Sequence, residues 1–284
     1  MNFLKNVTLA VVAFALAAGG AAAQGKKWET VKIATEGAYA PWNFTGAGGK
    51  LEGFEIDLAN DLCSRMKVKC EIVAQDWDGI IPALQAKKYD AIMAGMSITD
   101  ERKKVIDFSV SYANSPNSFV VPKNSPLAKM PGTGQAISLT AQPAEAEKAI
   151  EAIKTSLKGK TVGVQSSTTN TAFADKYLKG AAEIREYKTT EAHDLDLAAG
   201  RIDAVLADTT AIIGTLAKPE FKDYQIAGPL FTGGMLGAGA AVGLRKEDSD
   251  LKKMFDEAIK AAIADGTTKK LSDKWFKIDT TPRA

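Results

Sequence analysis

Short strand-like segments alternate with amphipathic helical segments along most of the chain after Gln24. The runs Val31–Thr35 and Ala91–Gly95 are short and largely apolar, which is typical of buried strands. Between them, Gly53–Met66 places Ile56, Leu62 and other apolar residues along one side, as an amphipathic helix does. Strands separated by helices indicate parallel β-α-β units, so the pattern predicts an α/β fold with open sheets covered on both faces.

The alternation falls into two blocks with an irregular stretch between them. The first block continues with a strand at Cys70–Ala74 and a short helix that Asp78 is expected to cap. Prolines then precede a charged helical segment, Pro143–Leu157. The second block is a strand at Thr161–Gln165, a helix at Asn170–Leu178, a strand at Glu183–Tyr187, a helix at Thr190–Ala199 and a strand at Ala204–Ala207.

About 260 residues remain after the N-terminal segment, which is long for one core and suits two lobes. The predicted lobes are 24–117 plus 239–284, and 118–238 with an insertion at about 124–158. We expect the chain to cross between the lobes near Asn117–Lys123 and Gly237–Leu244.

The N-terminal segment 1–23 is predicted to be a secretory signal peptide. Lys5 supplies its positive charge, Val7–Ala18 its apolar run, and Ala21-Ala22-Ala23 the small residues of a cleavage site. The apolar run is about a dozen residues, whereas a membrane span needs about 20. An uncleaved anchor is the alternative; we expect a soluble protein exported to the periplasm.

The chain has two cysteines, Cys63 and Cys70, and both lie in the exported part. Export to an oxidising compartment favours a disulfide between them, and their spacing suits a helix end joined to the next strand. Two thiols and the distant His193 are too few ligands for a metal site, so we expect no metal.

Charge and motifs argue against several classes of function. Lys plus Arg number 36 and Asp plus Glu 34, so no charge excess attracts nucleic acid or a membrane surface. The Gly237-x-Gly239 run lacks the spacing of a dinucleotide loop, and Gly159-Lys160-Thr161 lacks the first glycine of a phosphate-binding loop. A single histidine excludes most catalytic triads. We therefore expect no cofactor and no enzymatic activity.

Several motifs occur in an order that carries a resemblance. They are Thr35-Glu36-Gly37-Ala38-Tyr39-Ala40-Pro41-Trp42, Gly53-Phe54-Glu55-Ile56-Asp57-Leu58, Asp76-Trp77-Asp78, Asp90–Thr99 with Arg102, Gly163–Thr169 and Ala199–Asp208. From Val31 to Phe276 the chain resembles the periplasmic polar-amino-acid-binding proteins of ATP-driven (ABC) importers, including the lysine/arginine/ornithine, histidine, octopine and nopaline binders. The resemblance implies a type II, two-lobed periplasmic-binding-protein (Venus-flytrap) fold with two hinge crossings and a ligand in the cleft.

The resemblance also implies roles for particular residues. Arg102 is expected to grip an α-carboxylate with two parallel charge-assisted hydrogen bonds, which a lysine cannot imitate. Ser97, Thr168 and Thr169 add hydroxyl and N–H groups, the threonines at a helix start that suits an anion. Helix capping is an alternative role for these threonines.

Asp208 is expected to meet the α-ammonium group of the ligand, with helix capping as its alternative role. Glu36 matches the position that meets a cationic side chain, and its carboxylate disfavours acidic ligands. Tyr39 and Trp77 are expected to sandwich the ligand. The remaining ligand-binding positions are Gln165, Ala94 and Gly95, while Trp42, Phe44 and Phe54 are assigned to packing.

Two ligand classes fit these residues, and the sequence favours a free basic amino acid such as arginine, lysine, ornithine or histidine. An arginine-derived opine is the alternative, supported by the insertion and by the room that Ala94 and Gly95 leave. A dehydratase-like enzyme on the same scaffold is the alternative of another class. We expect a monomer that closes around its ligand and delivers it to an inner-membrane permease.

Overall fold

Two large β-sheets covered by helices account for the alternation in the sequence, and the computed structural model describes them over residues 27–282. The predicted signal peptide, 1–23, lies outside the described residues. The strands are β1 (Thr30–Thr35), β2 (Ala38–Tyr39), β3 (Asn43–Thr45), β4 (Leu51–Glu52), β5 (Lys69–Ala74), β6 (Ala91–Ile92), β7 (Asp107–Ala113), β8 (Asn117–Pro122), β9 (Ala136–Ser138), β10 (Thr161–Gln165), β11 (Glu183–Tyr187), β12 (Ala204–Asp208), β13 (Tyr224–Thr232) and β14 (Ala240–Leu244). The helices are α1 (Phe54–Met66), α2 (Ile80–Gln85), α3 (Asp100–Lys103), α4 (Pro143–Leu157), α5 (Thr169–Phe173), α6 (Thr190–Ala198), α7 (Thr209–Leu216), α8 (Ser249–Ala264) and α9 (Thr267–Trp275).

The first sheet has five strands in the order β5-β1-β6-β14-β7. Strand β1 pairs in parallel with β5 and β6, so these three strands form the predicted β-α-β arrangement. Strand β14 is antiparallel to both β6 and β7, which makes the sheet mixed rather than wholly parallel as predicted. Its core is packed by α1 and α8, with fully buried Leu58, Leu62, Phe255 and Ile259.

The second sheet has six strands in the order β11-β10-β12-β8-β13-β9. Strand β10 is parallel to β11 and β12, whereas β8 runs antiparallel to β12 and β13. The antiparallel strands β8 and β14 are the first strands after the two crossings. Each enters its sheet from the other lobe, and each therefore runs opposite to its neighbours. The sequence pattern did not identify β7 or β13, the strands that precede the two crossings.

The crossings lie just before the segments where the sequence placed them. The chain leaves the first sheet after Ala113 and joins the second at Asn117; it returns between Thr232 and Ala240. The segments predicted as crossings are therefore mostly strands β8 and β14, because an apolar strand has the same pattern whether it crosses or pairs. The exact residues at which one lobe ends and the other begins stay a prediction. Sheet membership shows which lobe each strand belongs to, but it does not do so for the segments between strands.

Several local predictions are confirmed and two are wrong, the first being the strand predicted at Ala91–Gly95, which ends at Ile92. Helix Pro143–Leu157 and strand Thr161–Gln165 have the predicted bounds. Helix α5 continues as a π-helical stretch, and the two together cover the predicted helix through Leu178. Asp78 does not cap α2, which begins after Gly79; its carboxylate instead accepts a hydrogen bond from the Ser166 hydroxyl at 3.2 Å.

The predicted disulfide is present and joins Cys63 to Cys70. It connects the last turns of α1 with the beginning of β5, the element pair that the spacing indicated. In the parallel register Cys70 lies beside Val31, near the start of β1. The disulfide therefore lies at the amino ends of these strands, away from the edge where Glu36 follows β1.

Candidate functional site

A cavity of about 390 Å³ lies between the two sheets. It is formed where β1, β6, β10 and β12 end, which is the edge of a parallel sheet where α/β proteins place ligands. All the residues that the sequence assigned to ligand binding line it: Glu36, Tyr39, Trp77, Ala94, Gly95, Ser97, Arg102, Gln165, Thr168, Thr169 and Asp208. Both lobes therefore contribute to the walls.

Arg102 brings a cation to this cavity from the short helix α3. The Thr99 hydroxyl caps the helix by accepting a hydrogen bond from the Arg102 N–H at 3.2 Å. The Arg102 guanidinium donates to the Ser97 carbonyl at 2.9 Å and stacks 5.1 Å from the centre of the Trp77 ring. Burial lowers the pKa of Arg102 to about 10. Within residues 27–282 this guanidinium takes part in none of the ion pairs, which suits a site for an anionic group.

Glu36 brings a carboxylate to the same cavity directly after β1. It is only 7% exposed, and its Oε1 accepts a hydrogen bond from Gln165 Nε2 at 2.7 Å. Burial raises the pKa of Glu36 to about 7; the hydrogen bond from Gln165 opposes this rise, and the negative charges of Glu55 and Asp78 add to it. A cation placed beside Glu36 would remove this electrostatic cost.

Asp208 supplies the second carboxylate from the opposite lobe, at the end of β12. It caps α7, because its Oδ1 accepts from the Ala211 N–H at 3.0 Å and also from the Thr210 hydroxyl. The Ser115 hydroxyl lies 3.3 Å from the same oxygen. Burial raises the pKa of Asp208, and the hydrogen bonds from Thr210 and Ala211 oppose the rise. The capping role is therefore present, and it engages one carboxylate oxygen.

Hydroxyl and amide groups of the second lobe surround the start of α5. The Thr168 hydroxyl caps α5 by accepting from the Thr171 N–H at 3.2 Å, and it donates to the Gln165 carbonyl at 2.7 Å. Thr169 is the first residue of the helix and lines the cavity. Capping, the alternative role of Thr168, is thus observed at a residue that also borders the cavity.

Aromatic rings form part of the wall from the first lobe. The Tyr39 and Trp42 rings are parallel, with centroids 6.3 Å apart. A Cβ atom on Gly95 would lie 2.8 Å from the Tyr39 ring, so this ring needs a glycine opposite it. The assignment of Trp42 to packing is incomplete: it packs against Phe54 and Phe276, and it also lines the cavity.

Hydrogen bonds across the cleft show that the two lobes are closed on each other. Trp42 Nε1 donates to the Thr210 hydroxyl at 2.8 Å, and Trp77 Nε1 donates to the Ser167 carbonyl at 3.3 Å. The Gln165–Glu36 bond at 2.7 Å also joins one lobe to the other. Each of these donors belongs to a residue that lines the cavity, so closure and the cavity wall are made by the same side chains.

The cavity also has lining residues that the sequence analysis missed. They include Asn114, Ser115, Asn117, His193 and Thr232. The first three lie at the first crossing, so a correct placement of that crossing would have identified them. His193 is 2% exposed, and its Nδ1 lies 3.1 Å from Asp194 Oδ1; no local pattern distinguishes it from a core histidine.

Clusters of metal-ligand side chains and membrane-spanning helices were both sought among residues 27–282. Across residues 27–282, no three His, Cys, Asp or Glu side chains gather in an arrangement that suits a metal ion. Over the same residues, every helix is too short or too polar to cross a membrane.

Comparisons with known proteins agree with the fold. The chain is 52% identical to the octopine-binding periplasmic protein of Rhizobium meliloti, over 98% of this chain and 99% of that protein. It is 38% identical to the lysine/arginine/ornithine-binding periplasmic protein of Escherichia coli (strain K12), over 87% of this chain and 88% of that protein. A solved structure of an ancestral arginine-binding protein bound to arginine matches with a TM-score of 0.73 and 32% identity, covering 87% of this chain and 98% of that one.

A family model matches residues 31–278, which include both sheets and every residue assigned to the site. The two-lobed α/β fold matches that of solved amino-acid-binding proteins. The chain therefore belongs to the bacterial extracellular solute-binding proteins, family 3.

Proposed function

We propose that this chain is the periplasmic solute-binding component of an ABC importer for a guanidinium-bearing amino acid derivative. The observation that carries the proposal is the charge arrangement of the cavity: Arg102 without an acidic partner, and Glu36 and Asp208 on two different walls. An α-carboxylate pairs with Arg102, the α-nitrogen with Asp208, and the cationic end of the ligand with Glu36.

Among such ligands we propose an octopine-type opine first and free arginine second, which reverses the order that the sequence favoured. Identity of 52% to an octopine-binding protein, against 38% to a lysine/arginine/ornithine binder, supports this order. The small residue Ala94, and the extension of the cavity to Asn114 and Asn117, provide room for the second carboxylate, whereas the Tyr39 ring occupies the space beside Gly95.

Ligand binding favours the closed arrangement because the ligand contacts both lobes at once. Arg102 and Glu36 belong to the first lobe, whereas Asp208 and Thr168 belong to the second. A ligand that contacts both sets binds the closed form better and shifts the population towards it. A shift from about 1:99 to 99:1 needs roughly 5.5 kcal/mol of differential affinity. The closed form is then the one that the membrane permease recognises.

Location and partners follow from the same proposal. Segment 1–23 directs export and is removed after Ala23, and the mature protein works in the periplasm as a monomer beside an inner-membrane permease. Similarity to two periplasmic binding proteins over most of the chain supports this location.

We also propose binding without turnover. A dehydratase-like reaction needs a general acid in the cleft, and Glu36, whose pKa burial raises to about 7, has the chemistry for one. The acidic wall disfavours a dianionic cyclic acid as a substrate. Incubation with a prephenate-type acid should therefore yield no product, and turnover would contradict the proposal.

Calorimetric titration of ligand-stripped protein tests the proposed ligand class. The panel is octopine, arginine, lysine, ornithine, histidine and glutamine. Octopine and arginine should bind more tightly than the other ligands, because both place a guanidinium beside Glu36. Octopine should bind most tightly of all, because the cavity also has room for its second carboxylate. Tight binding of glutamine alone would contradict the role of Glu36 and with it the proposed ligand class.

A further inference from the structure

A buried polar network joins two cavity-lining loops of the first lobe. Its side chains are those of Asn43, Glu55 and Tyr112, each 0% exposed. Its other members are the main-chain N–H groups of Gly37 and Gly95. None of the three side chains lines the cavity, so the network lies behind the wall and not in it.

The main-chain N–H groups of Gly37 and Gly95 can only donate, and this fixes the orientation of the Asn43 amide. Asn43 Oδ1 accepts from the Gly37 N–H at 2.7 Å, and Asn43 Nδ2 donates to Glu55 Oε2 at 2.6 Å. Glu55 Oε1 accepts from the Gly95 N–H at 2.7 Å and from the Tyr112 hydroxyl. The carboxylate is therefore an acceptor in three bonds, and the asparagine amide uses both its ends.

The two glycines lie at equivalent points of neighbouring strands. Strands β1 and β6 are paired in parallel, and Gly37 and Gly95 lie in the loops that follow them. Both have a positive φ, 75° and 59°, which turns the chain out of the sheet. Without Asn43 and Glu55 their N–H groups would be buried without acceptors, which is costly.

We propose that Glu55, acting through Asn43, is a positioning residue for ligand recognition. Gly37 adjoins Glu36, and Gly95 adjoins Ala94. The network therefore holds the two cavity-lining loops that follow β1 and β6 in their binding geometry before a ligand arrives. Preorganised walls bind more tightly because no ordering cost is paid on binding. The proposal rests on the proposed solute-binding function. It adds that Glu55 and Asn43 keep the two ligand-binding loops of the first lobe in position.

The direction of the bonds provides a sharp test. Glu55→Gln places an N–H group opposite the Asn43 N–H, so two donors face each other and one bond is lost. The double variant N43D/E55Q reverses that bond: the new amide at position 55 donates to the new carboxylate at position 43. The acceptors for Gly37, Gly95 and Tyr112 are all retained, and the double variant has the same net charge as the original protein.

The experiment combines calorimetric titration with arginine and octopine and amide hydrogen exchange of the ligand-free protein at Gly37 and Gly95. Glu55→Gln should weaken the affinity by about tenfold or more and speed exchange at both glycines. N43D/E55Q should restore both towards the values of the original protein. Ile259→Val, in the same core but outside the hydrogen-bonded network, should lower the melting temperature and leave both readouts unchanged.

Two results would overturn the proposal. One is a folded Glu55→Gln variant with unchanged affinity; the other is a double variant no better than the single one. Failure of the proposed function is a different result, because the original protein would then bind neither probe. Hydrogen exchange needs no ligand, so in that event equal exchange rates at Gly37 and Gly95 in Glu55→Gln and the original protein would separately refute the positioning.

Discussion

Arg102 and Glu36 are charged groups that the closed cleft holds away from opposite charges. Burial lowers the pKa of Arg102 to about 10 and raises that of Glu36 to about 7, so each charge is destabilised where it lies. Groups that the fold holds at such a cost are typical of functional sites. Both were identified from the sequence, because each lies in or beside a short motif that matches a motif of the polar-amino-acid-binding family.

The raised pKa of Glu36 predicts that affinity for a cationic ligand depends on pH. In the closed empty cleft Glu36 binds a proton as the pH falls through about 7, while a bound cation favours its ionised form. Affinity should therefore be greatest above pH 7 and fall as the pH is lowered towards 5, with proton release on binding. Titrations in buffers of different ionisation enthalpy measure that release.

Glu36→Gln is the matched control for this prediction. It keeps the shape of the side chain and removes the titrating group, so the affinity should be lower and should depend less on pH between 5 and 7 than that of the original protein. The same group affects stability with the opposite trend: its folded-state pKa lies above the unfolded value, so its contribution is fully present below pH 4.5 and is lost as the pH rises through about 7. An unchanged pH profile in the variant would assign the titration to another group.

Helix α7 has a glycine in its interior, which is unfavourable in a helix by roughly 1 kcal/mol relative to alanine. The contact across the cleft explains it. A Cβ atom on Gly214 would lie 2.8 Å from Pro41 Cδ and 3.4 Å from the Ala40 carbonyl oxygen, both in the other lobe. The absence of a side chain at Gly214 lets the lobes approach closely. The helix loses some stability at this position, and the closed cleft avoids a steric clash.

Gly214→Ala should therefore have opposite effects on stability and on affinity. The free energy of unfolding of the ligand-free open form should rise by up to about 1 kcal/mol through helix propensity. Ligand affinity should fall by about tenfold, because overpacking in the closed form costs roughly 1–3 kcal/mol. Thermal unfolding without ligand and calorimetric titration measure the two effects.

A second change at Pro41 checks the cause of that loss. Pro41→Ala removes the ring that the new methyl group would meet, so the double variant should recover part of the affinity that Gly214→Ala loses. Equal affinities in the single Gly214→Ala variant and the original protein would show that this contact does not limit closure.

The disulfide between α1 and β5 is expected to affect stability alone. Its cysteines are 7 positions apart, so it closes a short loop, and replacing both with serine should lower the free energy of unfolding by about 2–3 kcal/mol. The disulfide lies at the amino ends of the strands and the cavity at their carboxyl ends, so affinity should not change. A denaturant series with matched titrations would detect a contradiction, namely a fall in affinity that accompanies the loss of stability.

The sequence determined the elements whose patterns are local and missed those that depend on crossing the cleft. The bounds of α4 and β10 were predicted because prolines and alternating apolar residues mark them. Strand β7, strand β13 and the crossings were not predicted, because their positions depend on which of the two sheets each strand pairs with. For the same reason the contact of Trp42 with Thr210, 168 positions away, has no local signal.

At the scale of the whole molecule, the site exists only where the two lobes meet. The first lobe supplies Arg102 and Glu36, and the second supplies Asp208 and Gln165. The sequence predicted this set through the family resemblance, and the structure places all of it around one cavity. What each residue contributes to binding stays a prediction, and removing the single cation of this set tests it most directly.

That measurement is a calorimetric titration of octopine and arginine into Arg102→Ala beside the original protein. The account predicts an affinity loss of about 2 kcal/mol or more, roughly 30-fold, because the ligand carboxylate loses the guanidinium with which it pairs. The ligand-free variant should be at least as stable as the original, since a buried charge without a partner is removed. Binding by the variant at the original affinity would contradict the account.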